Sequence, residues 1–126
     1  MPGLLAPTNP RLEGVYDVIV DNDCTFNYIL CKVYDPEDPS DFKYIVRGTL
    51  RAEFHSDLYD DIDLQMEEYG LICECLGGGR IFHDAKRQII EVFGRSQGYG
   101  AANHSLAARI LAKDYPFYKS IIWSDS

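Results

Sequence analysis

One histidine lies where a strand-like segment gives way to a helix-like one, and this junction is well suited to acid–base chemistry. The segment Arg51–Asp60 contains His55 at the expected start of the helix. The first turn of a helix leaves backbone N–H groups unpaired, and the aligned peptide dipoles place partial positive charge there. That environment favours a neutral imidazole, which can accept a proton or attack an electrophile, and it also suits phosphate. The alternative interpretation is a surface histidine near a helix cap.

A second candidate segment, Ser96–Ala102 (SQGYGAA), is small and glycine-rich and leads from a strand-like to a helix-like segment. Successive N–H groups in such a segment can form an anion-binding concavity, although an ordinary loop is the alternative. The glycine run Gly77–Gly79 lacks the Gly-Lys-Ser/Thr of a nucleotide phosphate loop. It predicts instead a kink in a strand, or a place where another backbone or a ligand comes close.

The remaining cysteines and histidines give weaker signals. Cys24, Cys31, Cys73 and Cys75 occur in a chain whose start lacks the order of a signal peptide, which predicts reduced thiols and a cytoplasmic protein. Cys73 and Cys75 would share one face of a strand, so a metal or redox pair is an alternative to buried structural thiols. No Cys-x-x-Cys and no matching histidine pair supports a metal site. We interpret His83 and His104 as structural or surface residues.

Length and charge narrow the classes of function. The chain has 126 residues, 12 basic and 20 acidic, for a formal net charge of −8, which argues against nucleic acid and anionic membranes as partners. No apolar run is long enough to span a bilayer. Residues 1–14 contain several prolines and predict a flexible tail, and residues 15–126 predict a single domain.

Hydrophobic patterning supplies the elements that must position these residues. Two amphipathic helices are predicted, one capped by His55 or Ser56 and ending near Gly70, the other capped by Asn103, His104 or Ser105 and ending before Pro116. Proline and acidic residues predict a loop over Asp35–Asp41. Strands are predicted at Val15–Val20, Phe26–Tyr34, Phe42–Leu50, Leu71–His83, Gln88–Arg95 and Tyr118–Trp123. The resulting fold is α/β of the α+β type, a single mixed sheet of about six strands flanked by two helices in the order β-β-β-α-β-β-α-β.

The motifs taken together resemble the phosphohistidine phosphatase family, which includes the Janus sex-regulation proteins. The resemblance spans roughly residues 15–123 and is carried by segments in family order. These are Ile45–Gly48 (IVRG), Ala52–Asp60 (AEFHSDLYD), Cys73–Ile81 (CECLGGGRI), Val92–Ser96 (VFGRS), Tyr99–Gly100 and Lys113–Pro116 (KDYP). The fold of that family, a six-stranded mixed sheet between two helices, matches the order predicted above.

The resemblance implies a site. His55 matches the catalytic histidine of the family, described as the proton acceptor, and Ser96, Gln97 and Gly98 match the loop that binds the phosphoryl group. Arg80 matches a basic residue near that pocket, and Arg47 is a further candidate. The family needs no metal or organic cofactor, and it acts on phosphohistidine-containing proteins or peptides. Phosphate or sulfate ions would occupy the same site.

The sequence departs from the family at Asn27. The better-known members carry a lysine there, assigned to substrate binding, whereas asparagine can hydrogen-bond phosphate but brings no charge. Arg95 stands just before the phosphate loop, where an aromatic residue is common. We hypothesise that Arg95 or Arg80 supplies part of the missing positive charge.

The sequence therefore predicts a metal-independent protein-histidine phosphatase that hydrolyses the N–P bond, a monomer, with His55 as general base or nucleophile. The alternative is a non-catalytic phospho-ligand-binding or regulatory Janus-type protein on the same fold. Hydrolysis of phospholysine or a small phosphoramidate in the same pocket is a third possibility.

Overall fold

The computed structural model describes residues 9–125, in which six strands and three helices follow one another along the chain. The helices are α1 (Pro10–Glu13), α2 (His55–Glu68) and α3 (His104–Asp114). The strands are β1 (Val18–Val20), β2 (Cys24–Asp35), β3 (Asp38–Thr49), β4 (Ile72–Asp84), β5 (Ile89–Phe93) and β6 (Ser120–Trp123). The predicted order β-β-β-α-β-β-α-β is confirmed, and the one-turn helix α1 precedes it.

All six strands form one mixed sheet in the order β1-β3-β2-β4-β5-β6. The two outer pairs, β1 with β3 and β5 with β6, are parallel, and the three inner pairs are antiparallel. Strands β2 and β4 occupy the centre of the sheet. Strands β4 and β5 form an antiparallel hairpin.

The prediction of a loop over Asp35–Asp41 was wrong in extent. Strand β2 continues to Asp35 and β3 begins at Asp38, so residues 36 and 37 alone turn the chain. The pairing of the two strands overrides the local proline signal. Near Pro39, strand β3 has a neighbour, β2, on one side, because β1 pairs with β3 further along, at residues 46–48. Pro39 can therefore occupy an edge position, where no N–H donor is needed.

Each face of the sheet has its own apolar core, closed by one of the long helices. On one face, Leu58, Ile62 and Met66 form the buried stripe of α2. On the other, α3 buries Ala107 and Leu111. The α2 core contains Leu12, Val15, Ile29, Cys31, Val33, Ile45, Leu58, Ile62, Met66, Leu71 and Cys73. The α3 core contains Val18, Phe26, Tyr28, Leu30, Val46, Ile81, Ile90, Val92, Ala102, Ala107 and Leu111. The predicted two-sided covering of the sheet is therefore present.

The described end of the predicted tail packs against the domain. Asn9 caps α1, and Leu12 is fully buried in the α2 core. Arg11 pairs with Asp35 at 3.2 Å, and the Asn9 amide donates to the same carboxylate at 2.6 Å. Residues 9–14 thus belong to the folded domain, whereas residues 1–8 of the predicted tail lie outside the described residues. None of the described helices is long and apolar enough to cross a membrane.

The prediction that His55 or Ser56 caps α2 was wrong, because the cap is Phe54. Phe54 has extended backbone angles, and its N–H donates to the carboxylate of Asp57 at 3.4 Å. His55 is therefore the first helical residue. For α3, one of the three predicted caps is correct: the side chain of Asn103 accepts from the N–H of Leu106 at 3.1 Å.

Candidate active site

The ring of His55 lies over strand β4 and is fixed there by one hydrogen bond. Its Nε2 atom is 2.9 Å from the carbonyl oxygen of Gly79. Because a carbonyl oxygen only accepts, Nε2 must carry the hydrogen. In the neutral ring the other nitrogen, Nδ1, then carries the lone pair. The side chain is half-buried, so this nitrogen belongs to a group that is both held in place and accessible.

The three glycines of β4 allow other parts of the chain to approach this closely. A Cβ atom on Gly78 would lie 2.7 Å from Cδ2 of His55, and one on Gly77 would lie 2.8 Å from the Cα of Ala102. A Cβ atom on Gly79 would lie 2.4 Å from the carbonyl oxygen of Phe93. The prediction that these glycines mark a close approach is confirmed.

The glycine-rich segment that follows β5 is attached to the same glycines. Gly78 donates its N–H to the carbonyl of Gly100 at 3.0 Å and accepts from the N–H of Ala102 at 3.0 Å. Ser96 and Gly100 exchange two backbone hydrogen bonds, of 3.1 and 2.9 Å, which close the turn between them. Beyond the end of β5, this segment therefore takes the place beside β4.

Within the turn, the amides divide into two groups. Ser96 is buried, with 1% of its surface exposed, and its Oγ accepts from the N–H of Tyr99 at 3.2 Å. The N–H of Ser96 is already used by Gly100. Gln97 and Gly98 are exposed, and their N–H groups donate to no acceptor among residues 9–125. Of the predicted phosphoryl-binding residues, Gln97 and Gly98 thus offer free amides, and Ser96 supports the turn.

Two tyrosines bring the start of α2 against this turn. Tyr59, one helical turn after His55, has its ring centroid 5.6 Å from that of Tyr99 in an edge-to-face arrangement. The Tyr59 hydroxyl donates to the carbonyl of Cys73 at 2.9 Å, which anchors the helix to β4. Burial raises the pKa of Tyr59 to about 12. His55 and the 96–100 turn therefore converge on one part of the molecular surface.

Backbone N–H groups from the start of α2 and from the 96–100 turn could hold an anion here. The N–H groups of His55 and Ser56, in the first turn of α2, have no acceptor within the described part of the chain. Together with those of Gln97 and Gly98 they provide four unpaired amides. A helix N-terminus and a turn of this kind each favour negative charge.

Arg80 and Asn27 stand side by side on the central strands. They are direct partners in the antiparallel pairing of β2 and β4. Arg80 is two residues beyond Gly78, so the alternation of the strand places it on the face that His55 covers. Arg80 is exposed. The structure thus brings this arginine together with His55.

Asn27 holds the segment that leads into His55. Its side-chain amide donates to the carbonyl oxygens of Ala52, at 3.2 Å, and Glu53, at 3.1 Å. Both N–H donors of the amide are therefore used within the protein. Asn27 fixes the position of the two residues before the helix cap, a role that the sequence analysis missed.

The other two predicted arginines differ in their surroundings. Arg95 is exposed directly before the glycine-rich segment, and it follows Gly94, whose φ is +76°. Arg47 is 3% exposed and donates to the carbonyl oxygens of Val46, at 3.1 Å, and Tyr16, at 2.7 Å. Burial lowers the pKa of Arg47. The structure places Arg47 in the interior, away from the accessible surface of the site.

His104 takes part in the scaffold of the site, as its interpretation as a structural residue implied. Its Nε2 donates to the carbonyl of Gly94 at 2.7 Å, and its Nδ1 is 2.5 Å from the hydroxyl of Tyr28, which must donate to it. This buried chain of hydrogen bonds connects β2 to the start of the glycine-rich segment. No sequence pattern pairs Tyr28 with a histidine 76 positions away. His83 is buried elsewhere, between the carbonyl of Asp21 and the hydroxyl of Tyr118.

Metal ligands do not gather in the described part of the chain: no group of three or more His, Cys, Asp or Glu side chains there could hold an ion.

Comparison with known proteins identifies the family. The family model described as Janus/Ocnus matches residues 12–119. The chain is 42% identical to the "14 kDa phosphohistidine phosphatase" of Sus scrofa, over 90% of this chain and 93% of that protein. It is 38% identical to the protein of the same name from Homo sapiens, over 90% of this chain and 94% of that protein. It is 37% identical to "Sex-regulated protein janus-A" of Drosophila melanogaster, over 85% of this chain and 78% of that protein. The resemblance inferred from the motifs is confirmed, and the chain belongs to the Janus/Ocnus family.

Proposed function

We propose that this protein is a phosphohistidine phosphatase that hydrolyses the N–P bond in proteins or peptides. The observation that carries the proposal is the convergence of His55 and the 96–100 turn on Gly78. An oriented imidazole can act as base or nucleophile, and a set of free backbone amides can stabilise the charge on the phosphoryl oxygens. Two relatives of 42% and 38% identity are named phosphohistidine phosphatases, which supports the same substrate class here.

In the proposed complex the phosphoryl oxygens accept from the free amides at the start of α2 and from those of Gln97 and Gly98. These donors are fixed by the fold, so they need little reorganisation as charge develops on the oxygens. Arg80 adds a positive charge on the same face of β4. Because the chain as a whole carries a formal charge of −8, this local set must overcome an unfavourable overall field.

His55 can act in two ways, and both use Nδ1. As a general base, Nδ1 takes a proton from a water that attacks phosphorus while the P–N bond to the substrate imidazole breaks. As a nucleophile, Nδ1 forms a bond to phosphorus as that P–N bond breaks, and water then hydrolyses the phosphorylated His55. In either case the carbonyl of Gly79 holds the ring by its Nε2–H.

No metal or organic cofactor enters this mechanism. The P–N bond of phosphohistidine is weak compared with a phosphate ester, and the protonated imidazole departs readily. The barrier that the protein must lower is therefore smaller than for an ester. We propose that the enzyme acts as a monomer in the cytoplasm, and that phosphate or sulfate occupies the same site.

The central experiment measures phosphate release from a phosphohistidine peptide in the presence of a metal chelator. His55→Ala should reduce the rate by about 100-fold or more, as expected for loss of a base or nucleophile. His55→Gln is the sharper variant, because its amide can still donate to Gly79 but offers no basic nitrogen. Retained activity in His55→Gln, with folding confirmed by circular dichroism, would overturn the proposed role.

A second experiment separates the two mechanisms. Enzyme and labelled substrate are mixed, and turnover is stopped by denaturation in base, which preserves phosphohistidine. Label on the His55 peptide identifies the nucleophilic mechanism. Label confined to substrate and free phosphate identifies water activation.

The alternative function is a phospho-ligand-binding protein without turnover, and Asn27 is the observation that favours it. The resemblance implies a lysine at this position in the better-known members. Here both donors of the Asn27 amide are occupied by backbone carbonyls, so the side chain brings no cation to the phosphate. Calorimetric binding of a stable phosphohistidine analogue without phosphate release from the authentic peptide would identify this function.

A further inference from the structure

Three of the four cysteines lie together on the α2 face of the sheet, and the proposed phosphatase mechanism assigns no role to their thiols. Cys31 and Cys73 are buried in the α2 core, and Cys75 packs against it. All are free thiols. The fourth, Cys24, lies at the start of β2, beside Asp21 and Asp23.

Cys31 and Cys75 lie opposite each other on neighbouring strands, a placement that suits a disulfide. They are direct partners in the antiparallel pairing of β2 and β4, whereas Cys73 is opposite Val33. Direct partners in such a pair have Cα atoms about 4.5–5.5 Å apart, within the range of roughly 4.4–6.8 Å that a disulfide accepts. Their side chains point to the same face of the sheet.

The two thiols differ in exposure and acidity. Cys31 has no exposed surface, and its pKa is raised by hydrogen bonding to the thiols of Cys73 and Cys75 and by burial. Cys75 is half-buried, near Tyr59 and Tyr99 at the edge of the site. A hydrogen bond from the Cys31 thiol lowers the pKa of Cys75 despite partial burial. The accessible thiol is thus the more acidic of the two, as expected for the first to be oxidised.

We propose that Cys75 and Cys31 are a redox modification site that forms a reversible intramolecular disulfide in the presence of a hydroperoxide. The Cys75 thiolate attacks the peroxide, whose O–O bond breaks, giving a sulfenic acid and an alkoxide or hydroxide that takes up a proton. The sulfur of Cys31 then attacks that of Cys75, its proton leaves with the hydroxyl as water, and the S–S bond forms. Two thiols are oxidised and one peroxide is reduced. A dithiol reductant reverses the reaction.

The bond would form next to Gly77, the first of the three glycines of β4, the other two of which contact His55. The Cys75 sulfur lies 3.7 Å from the carbonyl oxygen of Gly77, and the register of β2 and β4 shifts between this pair and the glycines. Drawing the Cys75 sulfur onto Cys31 ends that contact. The oxidised and reduced proteins should therefore differ in phosphate release, although formation of the disulfide does not depend on the proposed phosphatase function.

The experiment must separate neighbouring cysteines, because Cys24 and Cys31 share one tryptic peptide and Cys73 and Cys75 share another. The double variant Cys24→Ser/Cys73→Ser keeps only the proposed pair. Treated with a slight excess of hydrogen peroxide, it should lose the mass of two hydrogen atoms, yield one linked pair of tryptic peptides, and revert with dithiothreitol. The matched double variant Cys24→Ser/Cys75→Ser keeps Cys31 and Cys73 and should give much less linked peptide.

Wild-type protein provides a test that needs no buried substitution. Digestion on both sides of Glu74 distinguishes Cys73 from Cys75, and digestion after Phe26 or Tyr28 distinguishes Cys24 from Cys31. A Cys31–Cys75 linkage supports the proposal. A different linkage, or oxidation of Cys75 to sulfinic acid without any linkage, overturns it.

Discussion

His55 lies directly over the backbone of Gly78, the residue whose N–H holds the carbonyl of Gly100 at 3.0 Å. One glycine thus fixes both halves of the candidate site. The imidazole lies over this glycine on one face of β4. The segment that supplies the amides is hydrogen-bonded to the N–H and C=O groups of the same glycine. Moving this strand residue would change the distance between the proposed base or nucleophile and the phosphoryl group.

Gly78→Ala should therefore damage the site, and it should also strain the pairing of β2 with β4. The new Cβ would be 2.7 Å from Cδ2 of His55 and 2.8 Å from the carbonyl oxygen of Tyr28, so the ring must move. We expect phosphate release to fall by at least about tenfold, the effect of roughly 1.4 kcal/mol on the barrier. Gly14→Ala is the control, because its Cβ would meet its nearest neighbours at 3.7 and 3.8 Å. Equal activity in the two variants would contradict the proposed contact.

Asn27 should act as a positioning residue. The activity and stability of its variants should therefore depend on whether the new side chain can donate hydrogen bonds to the same carbonyls. Asn27→Asp places a carboxylate against the carbonyls of Ala52 and Glu53 and should be the most damaging. Asn27→Ala removes two hydrogen bonds, each worth about 0.5–1.5 kcal/mol. Asn27→Lys can donate to the same carbonyls and adds a charge, so it should retain kcat and lower KM. Urea unfolding and steady-state kinetics of the three variants measure the two effects separately, and a higher KM in Asn27→Lys would contradict the argument.

Arg80 and Arg95 can be separated by substitution. Both are exposed, but only Arg80 has a strand register that places it on the face of His55. We expect Arg80→Ala to raise KM by about tenfold, as loss of a charged contact worth roughly 1.4 kcal/mol would do. Arg95→Ala should show whether the second arginine contributes, and unchanged phosphohydrolysis would assign it no part.

Arg109→Ala is the matched control for both arginine variants. It removes the same charge from an exposed position of α3. If it raises KM as much as Arg80→Ala does, the effect comes from net charge rather than from the site.

Tyr59 should make the protein sensitive to high pH. Burial raises its pKa to about 12 in the folded state, above the ordinary value of 10. The folded protein therefore holds the phenolic proton at pH values where the unfolded chain has lost it. The stabilising contribution is complete below pH 10 and is lost as the pH rises through about 12.

Tyr59→Phe tests this contribution. It removes the hydrogen bond to Cys73, so the free energy of unfolding should fall by about 1 kcal/mol at neutral pH. The decline of stability between pH 10 and 12 should become shallower. Chemical denaturation across that pH range measures both, and an unchanged slope would show that Tyr59 does not contribute to it.

The sequence predicted the parts of the structure that depend on local pattern. Helix α2 carries a regular apolar stripe, so its extent and buried face could be predicted from Leu58, Ile62 and Met66. The loop predicted at 35–41 failed because proline and aspartate report only local preference, and the partner strand supplied the missing pairing. Local sequence signals therefore predicted which helices and strands form, but not where each strand ends, because strand pairing sets those bounds.

The sequence named the residues of the candidate site, but it did not indicate those of their contacts that are distant in sequence. Arg47 was expected near the phosphate, but carbonyls of Val46 and Tyr16 make its burial possible, and the position of Tyr16 31 residues away gives no sequence signal. The role of Asn27 depends likewise on carbonyls 25 and 26 residues away. Such partnerships follow from strand register, which a single sequence does not specify.

The division of the interior into two cores has a consequence for how the protein responds to a ligand. His55 begins the helix that covers one core, and the glycine-rich segment runs into the other core through Ala102. A phosphate held between them would connect the two layers directly, in addition to the existing contact of Tyr59 with Tyr99. Amide hydrogens of α2 and α3, on opposite sides of the molecule, should then exchange more slowly together when the anion is bound.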